Sequence, residues 1–441
     1  DGDTLYVFAG RDEARIGGWF SMNHWVCFST KDMVNWKYEG VPMKSTDFSW
    51  GTRGTAWACQ VVKKNGKYYF YSTTGRPNGL GYAVGVAVSD TPAGPYVDVK
   101  KAPLFDNALT TGNKQDSMED IDPTVMVDDD GQAYIYWGNG KLHYALLSDD
   151  MLSLKDLNGD GQITEGTDLF TAVPIKNMRG GYGEAPWLHK ANGKYYLTYA
   201  SGLPQKVVYA MADSPRGPWE FKGVILDENL CPDGGKGNYN SDTSHPAIVE
   251  FKGQSYVFYH NAAQPTGGQT RRSVCVEKLT YNTDGTIQRS FITSLGLTGT
   301  ASLLQSYRHQ DQFVRFAKYD AKLEPMPSDA RPFQWELMLG LDEQAPAGTV
   351  SLQSVSHPGY YLTVKSNSVV LAKHDNTAAF KNKATFKPVA GLADKNWVSF
   401  QSLANPTVYL RHSEVDGKLI ASVYFDTSSQ SDKEDATFKL K

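Results

Sequence analysis

The chain has 441 residues, enough for two or three domains that each bury a core. Its 44 basic and 48 acidic side chains nearly cancel, and no apolar run reaches the length of a membrane span, so neither nucleic acid nor a membrane is expected as partner. Cys27, Cys59, Cys231 and Cys275 lack the close spacing of a zinc site, and the three in apolar strand-like runs, Cys27, Cys59 and Cys275, read as buried thiols.

Taken in order, the chain repeats one pattern five times. DGDTLYVFAG opens it, followed by NGKYYFYST near 65, DGQAYIYWG near 130, NGKYYLTYA near 192 and KGQSYVFYH near 252. Each is a polar turn leading into a β-branched and aromatic run, the signature of one strand of a hairpin. The shared tyrosines, Tyr6, Tyr69, Tyr134, Tyr196 and Tyr256, are spaced 63, 65, 62 and 60 residues apart. A second marker follows the first four: STKDMVNW, SDTPAGPY, LSDDMLSL and ADSPRGPW. Five all-β units of this size predict a five-bladed β-propeller over residues 1–297.

The remainder has another period. LQS at 304, LQS at 352 and FQS at 400 recur every 48 residues, each followed by an aromatic hairpin. Three equal all-β units predict a β-trefoil over residues 298–441, and a threefold repeat is not what an immunoglobulin-like sandwich needs. SLGLTGTASL, residues 294–303, reads as a linker.

The inner strand of every propeller blade borders the central channel, so equivalent positions face one another. Twelve residues before each marker tyrosine stand Trp57, Asp122, Glu184 and Ser244, the last beside His245, while the count from Tyr6 falls before Asp1. Dissimilar polar residues at one repeated position point to function, since packing alone favours similar apolar ones. Taken singly, Asp122 before Pro123 is ordinary turn chemistry and Glu184 an exposed strand-end carboxylate. Facing each other across a pocket, they are the minimum for cleaving a glycosidic bond. The aromatic and apolar neighbours of Glu184 mark it as the general acid.

At this point the chain resembles glycoside hydrolase family 43, on the segments IDPTVMVDDDGQAYIYWG, GYGEAPWLHKANGKYYLTYA, SHPAIVEFKGQSYVFYHN and RRSVCVEKL. The resemblance spans nearly all of residues 1–297 and implies an inverting, exo-acting enzyme that releases arabinofuranose, or else xylose, from plant polysaccharides. It makes Glu184 the acid, Asp122 the residue that tunes it, Arg272 a contact to the terminal sugar and His245 the central histidine near a bound cation. The family's base Asp belongs to a strand matched to a position before Asp1, so the base is expected ahead of this sequence, with loss of the base or service by another group such as Asp12 as the alternatives. Asp12 reads as a pocket-rim or turn residue, and Trp57 and Trp137 as an apolar wall for the sugar, with core packing an equal reading of Trp137. An extracellular or periplasmic monomer is expected. The open alternatives are a β-xylosidase or galactan-degrading relative, a fructan-cleaving five-bladed enzyme, and a carbohydrate-binding protein without activity.

The trefoil resembles the arabinose-binding modules of carbohydrate-binding family 42, on SFQS, PTVYLRH and DATF in its third repeat. That implies His412, Asp426 and Asp435 as hydrogen-bonding partners of a furanose, with a purely structural trefoil the even alternative. No cofactor is required by this chemistry. DLNGDGQIT has the Asp156, Asn158, Asp160, Gly161 spacing of a structural calcium loop, but Thr167 stands where the bidentate Glu belongs, so a polar turn is the competing reading.

Overall fold

The marker tyrosines each lie on a strand of one of five small antiparallel sheets: Leu5–Gly10, Lys67–Gly75, Ala133–Trp137, Lys194–Ser201 and Gln254–Asn261. The computed structural model describes residues 1–441 apart from 113, 228–240, 242 and 426. In the second to fifth sheets the tyrosine strand pairs with the strand before it, Cys59–Lys64, Thr124–Val127, Glu184–Ala191 and Ala247–Phe251, each at the sheet's edge. Three of the joining turns are two-residue loops with both residues at positive φ: Asn65-Gly66, Asn192-Gly193 and Lys252-Gly253. This twist matches that of the flanking strands, which is why Asn-Gly recurs there. The first sheet runs Leu5–Gly10, Trp25–Thr30, Trp36–Gly40 and starts at its tyrosine strand.

The sheets are the blades of a five-bladed propeller, and alternate side chains of each strand pack toward the blade on either side. Tyr71, Val86, Ile135 and Ala145 share one core between the second and third blades, and Tyr136, Leu146, Leu197 and Val208 another between the third and fourth. Buried tyrosine hydroxyls donate to backbone carbonyls across these joins: Tyr71 to Met151 at 2.7 Å, Tyr136 to Pro215 at 2.8 Å and Tyr196 to Gly285 at 2.7 Å. Trp137 belongs to this packing. It is fully buried, lies on Phe105 with ring centroids 4.2 Å apart, and its Nε1–H donates to Asp120. It is therefore core and not a wall of the sugar site.

The second compact unit takes in the chain from Phe291 to Lys441. Ser294 N–H donates to Val355 O and Ser302 N–H to Trp335 O, so the segment read as a linker is tied into this unit. Its described strands form a closed twelve-stranded array of three four-stranded repeats, a β-trefoil. The 48-residue period fills the core with equivalent residues. The hairpin pairs Val314–Leu323, Leu362–Leu371 and Leu410–Ala421 are all buried, and so are Leu304, Leu352 and Phe400.

Candidate active site

Trp57, Asp122, Glu184 and Ser244 all border one cavity of about 750 Å³ inside the propeller, together with Asp12, His245 and Arg272. The twelve-residue count thus identifies a real ring of side chains.

Asp122 enters this ring from a strained backbone. Its φ is +60°, a conformation that a residue with a Cβ rarely adopts. The Asp122 amide donates to Thr73 Oγ1 at 2.8 Å, and Asp122 Oδ2 accepts from the Ala185 amide at 3.1 Å. Burial pushes the Asp122 carboxyl well above the usual carboxylate range, the charge of Glu184 adds to that rise, and the Ala185 amide and Arg272 oppose it.

Glu184 begins the fourth blade's inner strand at a bulge. The pairing register shifts between Glu184 and Trp187, and Ala185 has φ of +57°. The irregularity lets Glu184 border the cavity while the Ala185 amide reaches Asp122. Glu184 Oε2 accepts from Asn139 Nδ2 at 2.6 Å, and Oε1 accepts from Gln205 Nε2 at 2.9 Å. Gln205 Oε1 in turn accepts from the Ser244 amide at 2.7 Å, which fixes the Gln205 nitrogen toward Glu184. The carboxylate that the apolar neighbours led us to expect in a hydrophobic setting sits in a cradle of amides.

Asp12 borders the cavity and is engaged there by Arg272. Its carboxylate takes two hydrogen bonds from the Arg272 side chain, Nε to Oδ2 at 2.9 Å and Nη2 to Oδ1 at 2.8 Å, and one from the Arg272 amide at 2.7 Å. The side chains are 8% and 17% exposed, and the guanidinium lies 4.8 Å from the ring centre of Phe20. The fork fixes where Arg272 points. His245 Nδ1 is 4.0 Å from Asp122 Oδ2, and burial, with Arg272 adding to it, lowers its pKa to about 4. Its imidazole is neutral near pH 7 and keeps a lone pair for a hydrogen bond or a cation. Trp57 stacks on Tyr82 at 4.2 Å and lines the cavity.

In the trefoil, His412 Nε2 and Asp435 Oδ1 are 3.3 Å apart and both side chains are buried, whereas Asp426 lies outside the described residues. In the loop read as a calcium site, Asp156 accepts from the amides of Gly159 and Gly161, each at 2.7 Å, and Asp160 from that of Gln162 at 2.8 Å. Buried Asp168 accepts from the amides of Leu157 and Thr164, so the loop's own backbone engages these carboxylates.

Asn139 and Gln205 did not stand out in the sequence. They follow their marker tyrosines by 5 and 9 residues, in connections that share no register. Only the Asn139-Gly140 dipeptide carried a signal, and that signal says turn.

Residues 1–287 match the model of glycosyl hydrolases family 43, and residues 302–440 that of the alpha-L-arabinofuranosidase B domain. A xylosidase/arabinosidase of Bacteroides ovatus is 32% identical over 64% of this chain and 90% of its own length. An arabinoxylan arabinofuranohydrolase of Paenibacillus polymyxa is 30% identical over 68% of this chain and 48% of its own. Among solved structures, an alpha-L-arabinofuranosidase from Clostridium thermocellum is 32% identical with a TM-score of 0.51, covering 66% of this chain and 90% of that one. A beta-xylosidase/alpha-arabinofuranosidase from a compost metagenome, solved with xylotriose in a calcium-free form, is 28% identical with a TM-score of 0.53, covering 66% and 92%.

Proposed function

Because the chain belongs to glycosyl hydrolases family 43, we propose that it removes terminal α-L-arabinofuranosyl units from arabinoxylan or arabinan by inversion, with Glu184 as general acid and Asp122 as the neighbour that orients and tunes it. One observation carries the assignment: Asp122, buried and resisting ionisation, is hydrogen-bonded to the amide immediately after Glu184. Glu184 gives its proton to the glycosidic oxygen while water attacks the anomeric carbon from the opposite face. Arg272, held by Asp12, donates to hydroxyls of the terminal sugar, and Trp57 walls its apolar face. Inversion also needs a base for the water's proton; the forked bond to Arg272 withholds Asp12 from that role, and the family's pattern gives it to an Asp of the first blade's inner strand.

The match of residues 302–440 to an arabinofuranosidase B domain, and a relative named for arabinoxylan, favour arabinofuranose. A relative named beta-xylosidase, 30% identical, and the structure solved with xylotriose support β-xylosidase as the second reading. A polymeric substrate supports an extracellular or periplasmic location as part of this reading.

Hydrolysis of 4-nitrophenyl α-L-arabinofuranoside, 4-nitrophenyl β-D-xyloside and arabinoxylan tests this. The expected order of kcat/KM puts the arabinofuranoside above the xyloside. Glu184→Gln should lose about 10²–10⁴-fold on arabinoxylan. It should lose far less on the nitrophenyl glycosides, whose leaving group needs little protonation. No turnover of any glycan would instead leave a carbohydrate-binding protein.

A further inference from the structure

The two amides that cradle Glu184 each stand beside an exposed apolar side chain, and both of those side chains border the cavity. Gln205 ends the turn 202–205 between strands Lys194–Ser201 and Lys206–Ala212. The same turn buries Gln205 against Glu184 and leaves Leu203 86% exposed. Met118 stands at the other arm of the cradle. Its neighbour Glu119 accepts through the backbone carbonyl from the Asn139 amide at 3.1 Å, and Ser117 O accepts from the Tyr82 amide at 2.9 Å. Met118 is thereby held between Asn139, which bonds Glu184, and Tyr82, on which Trp57 stacks, with its side chain 41% exposed.

A third apolar side chain reaches the cavity from the first blade. Trp19 is 65% exposed and packs edge-on against Phe20 at 5.4 Å, and Phe20 lies against the Arg272 guanidinium and 6.2 Å from Trp57. The loop that carries Trp19 is tied down. Glu13 N–H donates to Ser21 O and Gly18 N–H to Arg15 O, each at 2.8 Å, and the hydroxyl of buried Thr270 donates to Gly18 O at 3.0 Å. Exposed apolar residues scattered singly are ordinary on a protein surface. Three that come from separate connections and converge on one cavity, beside its carboxylates, call for a ligand.

We propose that Leu203, Met118 and Trp19 form the subsite for the sugar on the leaving side of the scissile bond, and so select the main chain of a branched polysaccharide over a simple glycoside. This rests on the reading of Glu184 as general acid. An acid that protonates the glycosidic oxygen lies against the leaving sugar, so the side chains flanking its cradle are the ones that sugar meets. A sugar ring carries C–H groups on its faces, which an indole plane and aliphatic chains cover, while its hydroxyls stay at the open edge in water. Methionine adapts to an irregular partner. The apolar surface is continuous with the terminal-sugar site through Phe20 and Trp57, so one chain can run from Arg272 past Glu184 and out over the rim. Contacts to this unreacting part of the substrate supply binding energy that a simple glycoside lacks.

The test uses the full chain and reads one ratio: kcat/KM on an arabinofuranosyl-substituted xylotriose over kcat/KM on methyl α-L-arabinofuranoside, whose leaving group is only methanol. Xylotriose over methyl β-D-xyloside serves if xylose is the sugar released. Leu203→Asn, Met118→Ser and Trp19→Ala should each lower the ratio about tenfold. These side chains are exposed or half-exposed, so the variants should keep the fold, which thermal denaturation checks. Tyr38→Ala, an exposed aromatic of the first blade outside the cavity, should leave the ratio as it is. Equal ratios in the parent and the three variants overturn the proposal. So does a parallel fall on both substrates, which would mean that these residues act on the catalytic centre itself. Self-association lost in Leu203→Asn with the ratio unaltered would assign the apolar surface to a second copy of the chain and overturn it as well. If the parent turns over no glycan, the enzymatic reading falls, and calorimetry with the same oligosaccharide still decides the subsite. Affinity in Glu184→Gln is compared with and without Trp19→Ala, and binding by the trefoil is common to both and cancels.

Discussion

Asp120 and Asp122 are two residues apart and both are buried, Asp122 at the cavity and Asp120 against Trp137 and Thr110. Asp120 is fully buried and accepts from Trp137 Nε1 at 2.9 Å and Thr110 Oγ1 at 2.6 Å. Burial raises its pKa to about 6 against the pull of those two bonds. At a pH between the unfolded value and that figure, the folded chain holds a proton that the unfolded chain has released. The stability from this group is therefore complete below about pH 4 and is lost as pH rises through 6, roughly 2–3 kcal/mol in all. Asparagine can accept from Trp137 and donate to Thr110, so Asp120→Asn should match the parent at pH 4 and melt several degrees higher at pH 7 to 8. Thermal denaturation at the two pH values measures this, and a gain equal at both would rule out the ionisation as its cause. In the proposed function Asp122, with Glu184 and the cavity beside it, turns the same kind of burial toward catalysis. The sequence could locate Asp122 through the repeat, because a structural period copies itself. It could not show that Asp12 binds Arg272, a pairing between residues 260 apart in the chain.

One element decides how the carboxylates meet. Without the bulge after Glu184, the regular alternation of the strand would aim the Ala185 amide along the sheet ladder and not at Asp122. The left-handed conformation at Ala185 is what the bulge requires, and the residue is 1% exposed. Glycine adopts that conformation freely, whereas a β-branched residue is a strong outlier there. Ala185→Gly should keep both fold and activity. Ala185→Val should destabilise by about 2–3 kcal/mol from backbone strain and overpacking. It should also lower kcat at temperatures where the protein stays folded, since the Asp122 contact moves with the backbone. Equal kcat in the valine variant would show that this contact does not shape the site. Hairpins of this kind are readable from sequence because their turn residues and their two-residue alternation are local. The bulge is set by the register between strands, and no spacing along one strand reports it.

At the scale of the molecule, each compact unit has an apolar core of its own. Among the described residues, the trefoil core, with Leu304, Trp335, Leu362, Phe400 and Phe438, contains no residue of the propeller cores built on Trp25, Tyr71 and Tyr136. Cooperative unfolding follows shared burial, so two separate cores predict two calorimetric transitions. Trp335 is fully buried, and its Nε1–H donates to Val314 O at 3.0 Å. Trp335→Ala should remove about 3–5 kcal/mol from the trefoil through lost burial and the cavity left behind. For a unit of this size that is a fall of roughly 10 °C or more in one transition. The other transition should stay in place, and so should turnover of 4-nitrophenyl α-L-arabinofuranoside below the first melt, because every described residue bordering the cavity belongs to the propeller. Retention on insoluble arabinoxylan is the property expected to fail in this variant, as the domain that matches the arabinofuranosidase B model loses its packing. A single transition that moves as a whole, together with lost turnover of the small substrate, would mean that the trefoil supports the catalytic unit energetically.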